Sequence, residues 1–252
     1  MDIPCTKNVI DDRVTRKGSS GDSAAFQSLV ERSITAWNSL NYVGPRADQA
    51  FVIRKAIERV RRLSSIETLL EKGEFWFFQH KEFFIHQQLL MKWHPARLNE
   101  YILLPMTYGF VNNKDCFFVS HYWHTREHPD PVGHDMRLFL EDLAHQEWSY
   151  VWVDWTCMPQ APRSEVQKQY FKKMLEVIPM LVRDCAFEWR SPVFEPRAWI
   201  LFEVAEYVLN HKECLIIDHR RHAGFRFPRD RNVRKGSAPH HFHTRIRLHK
   251  RR

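Results

Sequence analysis

Apolar positions along the chain follow two patterns. Up to about residue 110 they recur mostly at helical spacing, and from 116 onward short unbroken apolar runs alternate with amphipathic stretches. The first pattern predicts a helix over 24–40, with Ser23 placed to cap it, and a break at NYVGP (41–45). A second helix over 46–63 carries Val52, Ala56, Val60 and Leu63 on one stripe. Its other face holds Arg54, Lys55, Glu58, Arg59, Arg61 and Arg62, a basic face that can bind acid or lipid but is more commonly just solvated. The aromatic stretch GEFWFFQHKEFFIHQQLLMKWH (73–94) mixes helical and adjacent apolar spacing and reads as core or interface packing. Residues 1–22 form a polar lead-in read as disordered, and 23–110 a helical N-terminal region.

From 116 to 218 the pattern changes period. CFFVSHYW (116–123) and YVWVDWTCMPQ (150–160) are apolar runs too short for helices, rich in β-favouring residues, and each stops abruptly at polar side chains. Between them, Met136, Phe139, Leu140 and Leu143 stand at helical spacing after the loop 124–133. A further helix spans about 164–181, with Ser164 as its cap and Pro179 expected to kink it or end it early. A strand within 181–189, a helix over 197–209 and a strand at ECLIID (213–218) complete the series. Strand and helix alternate, which predicts an α/β fold with a doubly wound parallel sheet and helices on both faces. In such sheets ligands bind outside the C-terminal ends of the strands, where the polar tips fall.

Charge separates the chain into the same parts. Residues 219–252 carry ten Arg and two Lys against one Asp, a net +11, so the other 218 residues sum to −3 within the whole-chain +8. The basicity belongs to this tail, in which only TRIRLHK hints at a short strand. It can make a weak phosphate-directed contact with nucleic acid or acidic lipid. The unit 111–218 is slightly acidic by comparison and suits a nucleotide cleft better than a phosphate backbone. With 44% hydrophobic residues, 18 Phe and nine Trp, the core is well supplied. No uncharged apolar run is long enough to span a membrane. The charged N-terminus lacks a signal-peptide pattern, and the five scattered cysteines form no framework, so a cytoplasmic setting is expected.

Candidate chemistry sits at the ends of the apolar runs. Ser120, His121, Tyr122 and Trp123 follow the first strand, Asp154 the second, and Trp189, Arg190 and Ser191 the third. Aromatic rings there can stack on a base or nicotinamide, and Arg190 can hold a phosphate. Trp152, inside a strand, is core. Glu203 stands on a helix apolar on nearly every side, one turn after Trp199. A carboxylate in such a place is costly unless paired. It is either a rim ion pair with Arg190 or Arg197, or a functional group in a dry cleft. Cys157 is a nucleophile candidate without a supporting signature. His124, His128 and His134 lack metal-ligand spacing, HHFH in the tail is a weak metal signal, and no metal is expected. Phosphate-loop, dinucleotide-fingerprint, serine-hydrolase and zinc-protease motifs are missing.

FFVSHYW, followed by Trp152, Asp154, Cys157 and Gln160 in the spacing W-x-D-x-x-C-x-x-Q, resembles the TIR-like family, including its fungal heterokaryon-incompatibility branch. Ser191, Trp199 and Glu203 stand at the spacing of that family's third motif, while Phe194, Arg197 and Ile200 depart from it. The resemblance covers roughly 116–218. It implies a flavodoxin-like parallel sheet and, in many members, cleavage of the nicotinamide–ribose bond of NAD, in defence or cell-death signalling. NAD would be the substrate, with no other cofactor. Glu203 would be the catalytic carboxylate, and Ser120, His121, Tyr122, Trp123, Asp154, Arg190 and Trp199 would line the site. It also implies homo-oligomers, because neighbouring subunits complete such sites. The alternative it leaves open is a non-catalytic self-association or adaptor module.

Overall fold

A computed structural model describes residues 20–121 and 123–191, together with Phe202, Glu203, Ala205, Glu206, Leu209, Ile216–Ile217 and Thr244–Arg247. Two long helices come first, α1 (Ser20–Ser39) and α2 (Arg46–Arg61), then the short α3 (Ile66–Lys72). Helix α1 begins before Ser23, which lies inside it rather than capping it. Gly73, at φ +55°, closes α3 by donating its N–H to Leu69 and turns the chain into a strand.

That strand, β1 (Phe75–His80), and its partner β2 (Tyr101–Pro105) lie in the 23–110 region read as helical, β1 within the stretch 73–94 read as core or interface packing. The helix α4 (Lys81–His86) and a 3-10 turn (Pro95–Glu100) come between them. All five residues of β2 and the first five of β1 are buried. With both faces covered the two-residue alternation of a strand disappears, and the run FWFFQH cannot be told from buried helix by its pattern. Antiparallel pairing of Phe75–Gln79 with Tyr101–Pro105 decides the matter.

The remaining elements are β3 (Cys116–His121), α5 (His134–Leu143), β4 (Tyr150–Val153), the single turn α6 (Asp154–Cys157), α7 (Glu165–Asp184), β5 (Ala186–Ser191), β6 (Ile216–Ile217) and β7 (Thr244–Arg247). Ser164 caps α7 in a reciprocal box with Gln167. Pro179 sits inside α7 without ending it: Ile178, Leu181 and Val182 are buried on either side, and that packing carries the helix through the lost backbone bond.

Among the described residues the strands form one sheet in the order β2-β1-β4-β3-β5-β7-β6. Strand β3 pairs in parallel with β4 on one side and β5 on the other, and every other pairing is antiparallel. The sheet is therefore mixed α/β, with a parallel centre of three strands and antiparallel flanks, instead of parallel throughout. Part of the basic tail, Thr244–Arg247, lies between β5 and the strand expected to follow it.

The parallel centre is covered on both faces. Cys116, Phe118, Tyr150 and Trp152 belong to one apolar cluster, with Trp37 of α1, Leu69 of α3 and Tyr170, Met174 and Leu181 of α7. Phe117, Val119, Val151 and Val153 belong to another, with Met136, Phe139 and Leu143 of α5. Adjacent strand residues thus serve opposite faces, as the pleat requires. The first cluster crosses residue 110 and joins the N-terminal elements to the parallel strands. Each fully buried aromatic in it contributes roughly 1.5–3 kcal/mol.

Strand β2 is the edge on the N-terminal side, and α1 covers it. Ser33 Oγ accepts from the Leu103 N–H at 2.8 Å, Trp37 Nε1 donates to the Leu103 carbonyl at 2.6 Å, and Arg32 donates to the Tyr101 carbonyl at 3.0 and 3.1 Å. These outward-facing backbone groups, which would otherwise template pairing with another chain, are closed by side chains.

Candidate functional site

Because β3, β4 and β5 run the same way, their C-terminal ends share one edge of the sheet. The chain enters at the middle strand β3, passes through α5 on one face to β4, and returns through α7 on the other face to β5. Consecutive connections leaving β3's two sides on opposite faces define a switch point between β3 and β5. Ser120 and His121 end β3 there, in register with Trp189 and Arg190 of β5.

Glu203 reaches this point from the helical residues that follow β5. Its side chain is buried, at 3% exposure, and Ser120 Oγ donates to its Oε2. A hydroxyl donating to an ionised oxygen is among the stronger hydrogen bonds available to it. Its expected ion-pair partners, the Arg190 and Arg197 side chains, lie outside the described residues. Three residues on, Glu206 Oε1 lies 3.1 Å from Arg183 Nε of α7. The run is not apolar-buried all round: Phe202, Ala205 and Leu209, at helical spacing on one side, are exposed.

His121, one residue on, points to the opposite face, edge-on to Phe139 of α5. Its Nε2 lies 2.9 Å from Asp154 Oδ1, and Asp154 also accepts from the Trp155 N–H at 2.6 Å and from Trp123 Nε1 at 3.3 Å. Against an ionised Asp154, which only accepts, the Nε2–H tautomer of His121 is the one that completes this bond. Trp123 packs edge-on against Trp155. The predicted residues thus form two groups at one strand edge, Ser120 with Glu203 on the α7 side and His121, Trp123 and Asp154 on the α5 side. Tyr122 and Trp199 lie outside the described residues, and of Arg190 only the backbone is described.

The spacing of Trp152, Asp154, Cys157 and Gln160 has a local explanation. Trp152 is core, stacked on Phe118 with ring centroids 4.9 Å apart. Asp154 opens α6 at the strand end, and Gln160 Nε2 closes that turn by donating to the Asp154 carbonyl at 2.7 Å. Cys157 is fully buried, and burial pushes its thiol up to about 11. The thiolate is the reactive form, so Cys157 is a packing residue and not a nucleophile.

Sequence reading missed a third polar group on the α5 side. His124 Nε2 lies 2.8 Å from Asp135 Oδ2, while both oxygens of Asp130 accept backbone N–H groups at 2.8 Å, from His134 and Met136. Burial raises the Asp135 carboxyl, His124 lowers it, and the nearby Asp130 raises it again. Attention to spacing among the histidines alone passes over this group, since its other members are Asp135 in the first turn of α5 and Asp130 in the loop before it.

Comparison with family models, with curated proteins and with solved structures finds no match for the chain.

Proposed function

We propose that the strand edge at Ser120 and Glu203 is a TIR-like site that cleaves the nicotinamide–ribose bond of NAD, as a signalling domain in defence or cell death. The observation that carries this reading is the delivery of a buried carboxylate to the switch point of a parallel β4-β3-β5 trio. That order, with the first strand in the middle, agrees with the first half of a flavodoxin-like sheet. The bond broken is the one between ribose C1′ and the pyridine nitrogen. Its electron pair leaves with nicotinamide, which becomes neutral, and the sugar passes through an oxocarbenium-like state. Glu203 opposes that developing positive charge. Water adds to C1′ and releases a proton in hydrolysis, and a nucleophile within the substrate takes its place in cyclisation. His121, Tyr122, Trp123, Asp154, Arg190 and Trp199 would line the substrate.

A second reading, a non-catalytic self-association or adaptor module, rests on two observations. Glu203 is held inward by Ser120 at 3% exposure, and Phe202, Ala205 and Leu209 expose an apolar stripe beside it. The two readings separate in one experiment on concentrated, purified full chain. Glu203→Ala is expected to slow NAD consumption at least about 10²-fold, the effect of removing one electrostatic stabiliser. Unchanged consumption in the variant sinks the catalytic reading. Wild type and variant that are equally inert, yet both self-associate by light scattering, establish the module.

A further inference from the structure

The third polar group, absorbed by neither reading above, carries an inference of its own. We propose that His124, Asp130 and Asp135 form a binding site for a divalent metal cation. Each residue offers one donor atom, and the three donors lie within 4.8 Å of one another, close enough for a single ion. One imidazole nitrogen and two carboxylate oxygens suit zinc and the first-row dications of intermediate hardness better than they suit a soft ion. Asp130 and Asp135 are wholly buried and His124 is exposed, so the ion would enter from the His124 side and meet the carboxylates inside. Its two positive charges would balance the two buried negative ones.

The loop that carries the donors is built in advance of any ion. The His124 N–H donates to the Pro129 carbonyl at 2.9 Å, the Asp130 N–H to His128 Nδ1 at 3.0 Å, and the Gly133 N–H to the Asp130 carbonyl at 3.4 Å. Gly133 holds φ +66°, and a Cβ there would come within 2.6 Å of the Gln88 carbonyl, which fixes the loop against the segment before it. Two backbone N–H groups orient the Asp130 carboxylate. Donors held by such outer contacts lose little entropy on binding.

The test is calorimetric titration of the chelator-treated full chain with Zn²⁺, Mn²⁺ and Mg²⁺ in turn. The background carries all six tail histidines, His219, His222, His240, His241, His243 and His249, replaced by Ala, so that the tail contributes no imidazole. One saturable ion per chain is expected for at least one of the three metals. Asp135→Asn should abolish binding, and His124→Gln should weaken it by more than about 10-fold, the least that loss of an outer partner costs. His124 is exposed, so His124→Gln keeps its fold and decides the question alone if Asp135→Asn does not fold, as circular dichroism reports. Absence of saturable binding, or wild-type affinity in His124→Gln, overturns the site and leaves a helix cap and an ion pair only.

Discussion

At the β2 edge, α1 supplies Arg32, Ser33 and Trp37 to backbone groups of a strand that has no outer neighbour among the described residues. At the C-terminal ends of β3 and β4, side chains bond chiefly to other side chains: Ser120 to Glu203, His121 and Trp123 to Asp154, His124 to Asp135. The difference separates support from site. Side-chain bonds to a fixed backbone amid aromatic packing have no cheaper arrangement and serve stability. Bonds between carboxylates, a hydroxyl and imidazoles can be exchanged for bonds to a ligand, because each partner has further donor or acceptor capacity. Sequence composition reflects the same division, with aromatic runs in the first region and apolar runs ending in polar tips in the second.

The comparison breaks most visibly at Trp37. It is fully buried, lies parallel to Phe75 at 6.1 Å and donates to Leu103. Trp37→Ala is expected to lower stability in urea unfolding by about 3–5 kcal/mol, while leaving any activity per folded molecule unchanged. A loss of activity per folded molecule would show that edge and site are coupled.

A smaller effect is expected at Ser120. Removing its hydroxyl takes one donor from a buried carboxylate, which costs about 1–3 kcal/mol. Ser120→Ala should therefore destabilise less than Trp37→Ala and perturb the site more. Equal stability of wild type and Ser120→Ala would mean that Glu203 does not depend on this bond.

The smallest effect concerns pH and sharpens the junction between the two regions. His80, at the end of β1, packs on Tyr150 of β4, and burial, followed by the charge of Arg32, lowers its pKa below the ordinary 6.5. The folded chain thus binds this proton less readily than the unfolded one. Stability is full above 6.5 and falls as pH drops from 6.5 through the lowered folded value. His80→Gln should flatten that part of the stability–pH curve, followed by unfolding midpoints between neutral and acid pH. An unaltered slope would assign the acid sensitivity to other groups.

Much of the parallel centre was legible because its residues obey local rules. Met136, Phe139 and Leu143 turn one apolar stripe inward, Ser164 and Gln167 form a cap readable three residues apart, and CFFVS and YVWV are too short and too β-rich for helices. That Ser120, His121 and Asp154 fall at strand ends was legible, since polar residues terminate the apolar runs there. The candidate site was not legible in its pairings. Ser120 and Glu203 are 83 positions apart, and nothing in a linear pattern tells which of Glu203 and Glu206 turns inward. The His124 group escaped notice because its donors are of mixed type and irregularly spaced.

By itself the sequence determined the α/β class, the central alternation of strands and helices, the concentration of basic charge in the tail and the polar tips. These follow from periodicity, β-propensity and charge, which are properties of neighbouring residues. Only the tertiary structure decided that FWFFQH and YILLP are strands, that the tail segment Thr244–Arg247 lies between β5 and β6, and that the sheet has antiparallel flanks. A strand buried on both faces loses its two-residue signature, and its identity then rests on hydrogen bonds to a partner far along the chain. For the same reason the structure, and not the spacing, set Glu203 against Ser120 and Glu206 against Arg183.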